Sequence, residues 1–184
     1  MIWFTSDIHF NHANIIKYSN RPYSSVDKMN SALIRNWNSR VGPKDTVYHI
    51  GDFMFKGGWQ GGSDKPEYFT DQLNGTLVHI LGNHDKNNSI KNSIRYAEIR
   101  FANRRWCLQH KPPEESQMRV FPTPDEEDEI YLVGHVHTAW KHKWINNKLV
   151  INVGTDVWAY MPRHAGEISG YADKCFRERE ENNE

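Results

Sequence analysis

Neither sign of charge dominates this chain: 23 lysines and arginines balance 23 aspartates and glutamates over 184 residues. The balance removes any global attraction to polyanions or to an anionic membrane, so an anionic ligand has to be drawn by a local field. Cysteine is scarce. Cys107 and Cys175 lie far apart and form no metal-type cluster, and they read as two idle thiols in a reducing cytoplasm in preference to a disulfide. No apolar run approaches membrane-spanning length, and the stretch Met1-Ile-Trp-Phe-Thr-Ser-Asp7 lacks the charged and apolar regions of a secretion signal. No internal repeat is evident. The expectation is a soluble, cytoplasmic protein with no membrane partner and no strong nucleic-acid signature. Its length suits a single domain over 1–184, with a charged, peripheral tail from about 174.

Histidine is the residue in excess, with ten copies, and it is the first sign of metal or proton chemistry. Several of them stand at the ends of apolar runs. Ile2 to Thr5 fits a central strand and stops at Ser6-Asp7-Ile8-His9, and two residues so spaced share one side of an extended chain. Thr46 to Ile50 ends at Gly51-Asp52. Leu77 to Leu81 breaks at Gly82 and runs into Asn83, His84 and Asp85. Arg105 to Gln109 ends at His110, and Ile130 to Val133 is closed by Gly134-His135-Val136-His137.

Between these runs the chain reads as scaffold. Val26, Met29, Leu33, Trp37 and Val41 form a helical stripe within Ser24 to Val41, with Ser24 and Asp27 as a capping box and Gly42-Pro43 as the stop. Phe53 to Lys65 holds four glycines around Trp59 and reads as a mobile loop, a lid or only a tether. Pro66 to Leu73 suits a short helix with Asp64 near its N-cap. Tyr96 to Phe101 and Arg105 to Gln109 read as a hairpin turning at Asn103-Arg104, and Asn146-Asn147 as the turn of another. Pro112 to Glu129 is loop-like, with a solvated acidic run from Asp125 to Glu129. His49 and His79, inside strands, are expected to be packed or hydrogen-bonded. His142 and His164 are expected at the surface without partners. Asn11, His12 and Arg21 are second-tier candidates for substrate contact, with a surface turn the favoured reading of Arg21-Pro22.

Five strand-end clusters of Asp, Asn and His match the place where sites form in layered α/β architectures, outside the carboxyl ends of the strands. Together they offer two carboxylates, an amide oxygen and up to five imidazoles, a set costly to bury without a ligand. Imidazole with carboxylate and amide oxygen suits manganese, iron, nickel or zinc, and the set is too large for one tetrahedral ion and about right for two. Two divalent cations less two aspartates leave a positive site, able to collect a phosphate ester in an otherwise neutral protein.

The order Asp-x-His, Gly-Asp, Gly-Asn-His-Asp, His, Gly-His-x-His resembles the calcineurin-like metallophosphoesterase superfamily. The segments Thr5-Ser-Asp-Ile-His-Phe-Asn-His-Ala-Asn-Ile-Ile16 and Asp45-Thr-Val-Tyr-His-Ile-Gly-Asp52 look like its small bacterial and phage-type members. The match runs from Ile2 to about Pro162. The resemblance implies a four-layer α/β/β/α sandwich with two facing mixed sheets and the metal site at the strand ends. It implies Asp7, His9, Asp52 and His137 around a first metal, and Asp52, Asn83, His110 and His135 around a second, with Asp52 bridging. It also implies His84 beside the substrate, assisting the leaving group, and Asp85 orienting His84. The function it implies is hydrolysis of a phosphate ester by a metal-bridging hydroxide, with a small phosphodiester or nucleotide-type substrate favoured. A phosphomonoesterase or nuclease on the same site is the alternative, as is a non-catalytic interaction module on the same fold.

Overall fold

The computed structural model describes residues 1–56, 63–85, 90–114 and 129–182. Its scaffold is two mixed sheets. The first has the order β3-β2-β1-β9, from β1 (Ile2–Thr5), β2 (Thr46–Ile50), β3 (Thr76–Ile80) and β9 (Arg163–His164). The second has the order β4-β5-β6-β8-β7, from β4 (Ala97–Phe101), β5 (Arg104–Leu108), β6 (Glu129–Val133), β7 (His142–Ile145) and β8 (Lys148–Asn152). Neighbouring strands β1, β2 and β3 are parallel, as are β5, β6 and β8. An isolated parallel bridge between Ser6 and Gly154 joins the two sheets just past β1 and β8. The carboxyl ends of all six parallel strands therefore meet at one edge of the sandwich, which is what positions the site.

Alternation along the strands sorts the side chains. Phe4, Ile50 and Ile80 of the first sheet face Trp106, Leu108, Ile130, Leu132, Leu149 and Ile151 of the second, all buried in one cluster. On the other face of the first sheet, Trp3 and Val47 pack under α1 (Ala13–Tyr18), α2 (Val26–Asn38) and α3 (Glu67–Thr70), through Ile15, Met29, Leu33, Trp37 and Phe69. The α2 stripe is thus core, as its spacing implies. The two mixed sheets, of four and five strands, are those of the expected α/β sandwich. The last helix, α4 (Ala165–Glu181), inserts Ile168, Ala172 and Cys175 into the cluster between the sheets, at the end away from the site. The outer face of the second sheet carries a smaller cluster of Cys107, Tyr131, Val133 and Val150.

Several local expectations change. The cap of α2 is Ser25, whose extended backbone lets its side chain accept from Lys28 N, so the cap lies one residue later than expected and is a single bond in place of the box of Ser24 with Asp27. α3 is only four residues long and has Pro66 at its N-cap, not Asp64. Phe53 and Met54 are fully buried and Met54 bridges to Phe10, so they belong to the core and not to a loop. Trp59 and the rest of 57–62 lie outside the described residues, as does the acidic stretch of 115–128. Glu129 is not solvated: it opens β6 and is buried, accepting from the Tyr131 hydroxyl at 2.9 Å. The first hairpin turns at Ala102-Asn103, both at positive φ, one residue earlier than the sequence suggests. Asn146-Asn147 turns as expected.

The charged tail is the continuation of α4, and Cys175 and Phe176 pack against the core while the charged side chains face out. Cys107 and Cys175 are both buried and free. Neither outlying histidine is idle. His142 meets the Tyr171 hydroxyl at 2.8 Å, and His164 caps α4 in a reciprocal box with Glu167.

Candidate metal centre

Every strand-end cluster named from the sequence arrives at the same edge. Asp7 and His9 follow β1, Asp52 follows β2, Asn83 and His84 follow β3, His110 follows β5, and His135 and His137 follow β6. The turns that carry them are tight. Asp7, His9, Asp52, His135 and His137 all hold positive φ, between 47° and 71°. Non-glycine residues adopt this region rarely and at a cost, which the surrounding hydrogen bonds must offset. Glycine is required beside them for a different reason, close approach. A Cβ on Gly82 would overlap the Asp52 carboxylate, and one on Gly134 would overlap the Ser6 hydroxyl and the Asp7 carboxylate.

Two groups of three side chains result, each placing its ligand atoms within 4.8 Å of one another: Asp7, His9 and His137, and Asp52, His110 and His135. One carboxylate spans them. Asp52 Oδ2 lies 3.6 Å from His9 Nε2 and 3.3 Å from His110 Nε2. Asn83 Oδ1 joins the second group, 3.1 Å from His110 Nε2. A cation fits this set, and His9 shows why: its Nε2 is buried with no hydrogen-bond partner among the described residues, which is unfavourable for a polar atom unless a ligand fills the space.

The outward nitrogens of the rings support the same reading. His137 Nδ1 meets Asp156 Oδ2 at 2.8 Å, His110 Nδ1 meets the Ile50 carbonyl at 2.9 Å, and His9 Nδ1 faces His12 Nδ1 at 3.4 Å. Each Nε2 is thereby turned inward, and a partner on the far nitrogen is the arrangement that fixes tautomer and orientation in metal-binding histidines.

Electrostatics follow from burial and neighbours. Burial, then the Arg21 charge, holds His9 well below the ordinary histidine range, which keeps it neutral and able to donate a lone pair. Burial opposes charge on His110 as well, but its hydrogen bond to Asp52 and the nearby Asp7 outweigh it and push the ring up to about 9. Burial raises Asp7. Asp52 is lowered: burial works against it, and the His110 contact prevails.

The second-tier candidates fall differently from expectation. Arg21 is not part of a surface turn. It is buried, donates to Asp156 at 2.8 Å through Nε, and reaches the carbonyls of Asp7 and Ile8 at 2.6 and 2.8 Å. These contacts engage the guanidinium from within, and it braces the turn after β1. Asn11 is buried too, exchanging hydrogen bonds with Asn30 and donating to the Ser63 carbonyl at 2.9 Å. His12 is half-buried, stacked on Phe55 with ring centroids 4.5 Å apart, and serves His9. His84 stands on the open side, its ring centroid 5.5 Å from His9, while its backbone N–H donates to Asp52 Oδ1 at 2.9 Å.

Asp85 does not take the place expected of it beside the His84 ring. Its oxygens accept from Gly82 N at 2.7 Å, Asp52 N at 2.8 Å and Phe53 N at 3.0 Å, and Oδ2 lies 3.2 Å from His79 Nε2. A buried carboxylate aimed at three N–H groups ties together the turns that carry Asp52 and Asn83. Asp156 was missed in the sequence, although Gly154-Thr155-Asp156 repeats the sign that exposed Asp52: an apolar strand, a glycine and a carboxylate. Ser6 was missed as well, and its hydroxyl donates to Asp7 Oδ2 at 2.7 Å.

Residues 1–171 match a family model described as the calcineurin-like phosphoesterase superfamily domain. The uncharacterized protein MJ1445 of Methanocaldococcus jannaschii is 38% identical over 164 residues, covering 88% of this chain and 85% of that one. The Gene 66 protein of Mycobacterium phage D29 is 27% identical over 182 residues, with coverage of 85% and 88%. Among solved structures, the protein of unknown function AQ665 from Aquifex aeolicus aligns with a TM-score of 0.67 and 26% identity, over 93% of this chain and 98% of that one.

Proposed function

The chain belongs to the calcineurin-like phosphoesterase superfamily, and from that premise we propose that it is a two-metal phosphoesterase, with a small phosphodiester or nucleotide-type ester as its favoured substrate. The observation that carries the reading is the shared carboxylate. Asp52 Oδ2 stands within 3.6 Å of an inward nitrogen of each ligand group, the position a bridging ligand needs. Asp7, His9, Asp52 and His137 would hold one divalent ion, and Asp52, Asn83, His110 and His135 the other. Manganese, iron, nickel and zinc all suit such a mixed nitrogen and oxygen set. Bound there, the pair supplies positive charge for the phosphoryl oxygens and lowers the pKa of water at the site.

The chain's own groups supply the rest. His84, on the open side of the rings, would hold a proton for the departing oxygen, the task of a general acid. Asp52 has two assignments at once, with one oxygen toward both ligand groups and the other fixing the His84 backbone, so it holds the acid in register with the metals. The neutral overall charge argues against a long polyanion as substrate, because such a chain is usually met by a basic track. Among the described residues no helix is long and apolar enough to cross a membrane.

The test is direct. Metal-free protein is loaded with Mn²⁺ or Ni²⁺, its metal content is measured, and hydrolysis of bis-p-nitrophenyl phosphate is compared with that of p-nitrophenyl phosphate. Two ions per chain and faster cleavage of the diester are expected. Faster cleavage of the monoester would assign a phosphomonoesterase instead. Far fewer than two ions with no hydrolysis of either would overturn the enzyme reading and favour a binding module.

A further inference from the structure

Below the Asp52 turn lies a pair of histidines that the proposed chemistry does not use. His49 and His79 are register partners on β2 and β3, and both are buried, 0% and 3% exposed. They lie beneath Phe53, with ring centroids 5.2 and 6.1 Å from it. Packing alone would be served better by valine or isoleucine, since a buried ring nitrogen costs free energy unless it is partnered. Here three of the four ring nitrogens form a line toward Asp85, while His49 Nε2 is buried with no hydrogen-bond partner among the described residues. His49 Nδ1 is 3.1 Å from His79 Nδ1, and His79 Nε2 is 3.2 Å from Asp85 Oδ2. Asp85 in turn accepts from Gly82 N and Asp52 N through the same oxygen.

We propose that His79 is a positioning residue for the metal centre: by holding Asp85 against the turns after β2 and β3, it sets the spacing between Asp52 and Asn83. The inference rests on the two-metal reading above. The geometry gives the nitrogens separate tasks. His79 Nε2 is the nitrogen in ion-pair range of the carboxylate, and Nδ1 is the one that meets His49. His49 thereby fixes the orientation of the His79 ring, His79 holds the Asp85 carboxylate, and Asp85 holds two turns from adjacent strands. A displacement at His79 would be felt first at Asn83 and at the shared Asp52, both ligands of the second group; Asp7 and His9 feel it one step later, through their backbone N–H bonds to the Gly51 and Asp52 carbonyls.

His79→Leu is the blunt variant, and two polar ones keep the test sound if it does not fold. The amide of His79→Gln can still reach Asp85, whereas that of His79→Asn can reach His49 but falls short of Asp85. Folding is checked by cooperative thermal melts of the metal-free proteins. Mn²⁺ affinities are measured by calorimetry, and pairing of the two ions by the exchange-coupled electron paramagnetic resonance signal. The expected result is that His79→Asn binds its weaker Mn²⁺ at least ~10-fold less tightly than wild type and loses the coupled signal, while His79→Gln keeps both. Equal weakening in both polar variants, or none in either, would overturn the proposal. If wild type itself binds no coupled pair, the two-metal reading fails, and the inference fails with it.

Discussion

In the first ligand group the far nitrogen of His137 meets a buried carboxylate, Asp156, at 2.8 Å; in the second, the far nitrogen of His110 meets the Ile50 carbonyl at 2.9 Å. The two groups are alike in composition, each with one aspartate and two histidines, yet they are supported differently. Charge supports the first. Asp156 is itself paired with Arg21, and Arg21 continues to the carbonyls of Asp7 and Ile8, so one buried ion pair braces three sides of that group. Backbone supports the second, through Ile50 O, the N–H of His84 and the Asp85 clamp. The difference teaches that the same ligand types can be held with different stiffness. A carboxylate behind an imidazole raises its basicity, while a carbonyl mainly orients it. We expect the first group to bind its ion more tightly.

Asp52→Asn should have the largest effect, because it removes charge from the one side chain both groups share. Phosphodiester hydrolysis is expected to fall by ~10³-fold or more, with metal content dropping below two; retained activity would remove Asp52 from the bridging position. Asp156→Asn separates the groups. Metal affinity of the tighter site should weaken by ~10–100-fold while the other changes little, as read by calorimetric titration. Equal loss at both sites would abolish the distinction between them.

His12→Phe should act on the same group more gently. It keeps the stack on Phe55 and removes the partner of His9 Nδ1, so a several-fold loss at the tighter site is expected and little change in melting temperature. The smallest effect is one of pH. Burial works against ionisation of Asp156, but the His137 hydrogen bond and the Arg21 charge prevail and hold its carboxyl below the usual range. A group depressed in the folded state contributes stability above its unfolded pKa, ~3.9, and loses it as pH falls through the folded value. The stability gap between wild type and Asp156→Asn, measured metal-free by urea unfolding, should therefore be widest near neutrality and narrow in acid.

How much of this was legible depended on range. The strands, the α2 stripe and all seven candidate ligands announce themselves locally, since an apolar run that ends in Asp, Asn or His is visible within ten residues. The clamp made by Asp85 was not legible, because the sequence shows His84 beside it but not the backbone of the neighbouring turn. Two of the N–H groups Asp85 accepts from, those of Asp52 and Phe53, lie just past β2 and more than 30 residues away. Arg21-Pro22 looked like a surface turn, and Asn11 like a candidate for substrate contact, because nothing local shows that Asp156 and Asn30 wait for them.

The sequence by itself determined which side chains can hold a cation and that they follow strands, because residue type and hydrophobic period are local properties. Only the tertiary structure decided which of them share an ion and what stands behind each. Parallel pairing places the ends of β1, β2, β3, β5 and β6 at one edge, so that Asp52 of one sheet comes within 3.3 Å of His110 from the other. Burial then favours partners for the polar atoms behind the ligands, such as Asp156 for His137 Nδ1 and the Ile50 carbonyl for His110 Nδ1, which come from distant parts of the chain.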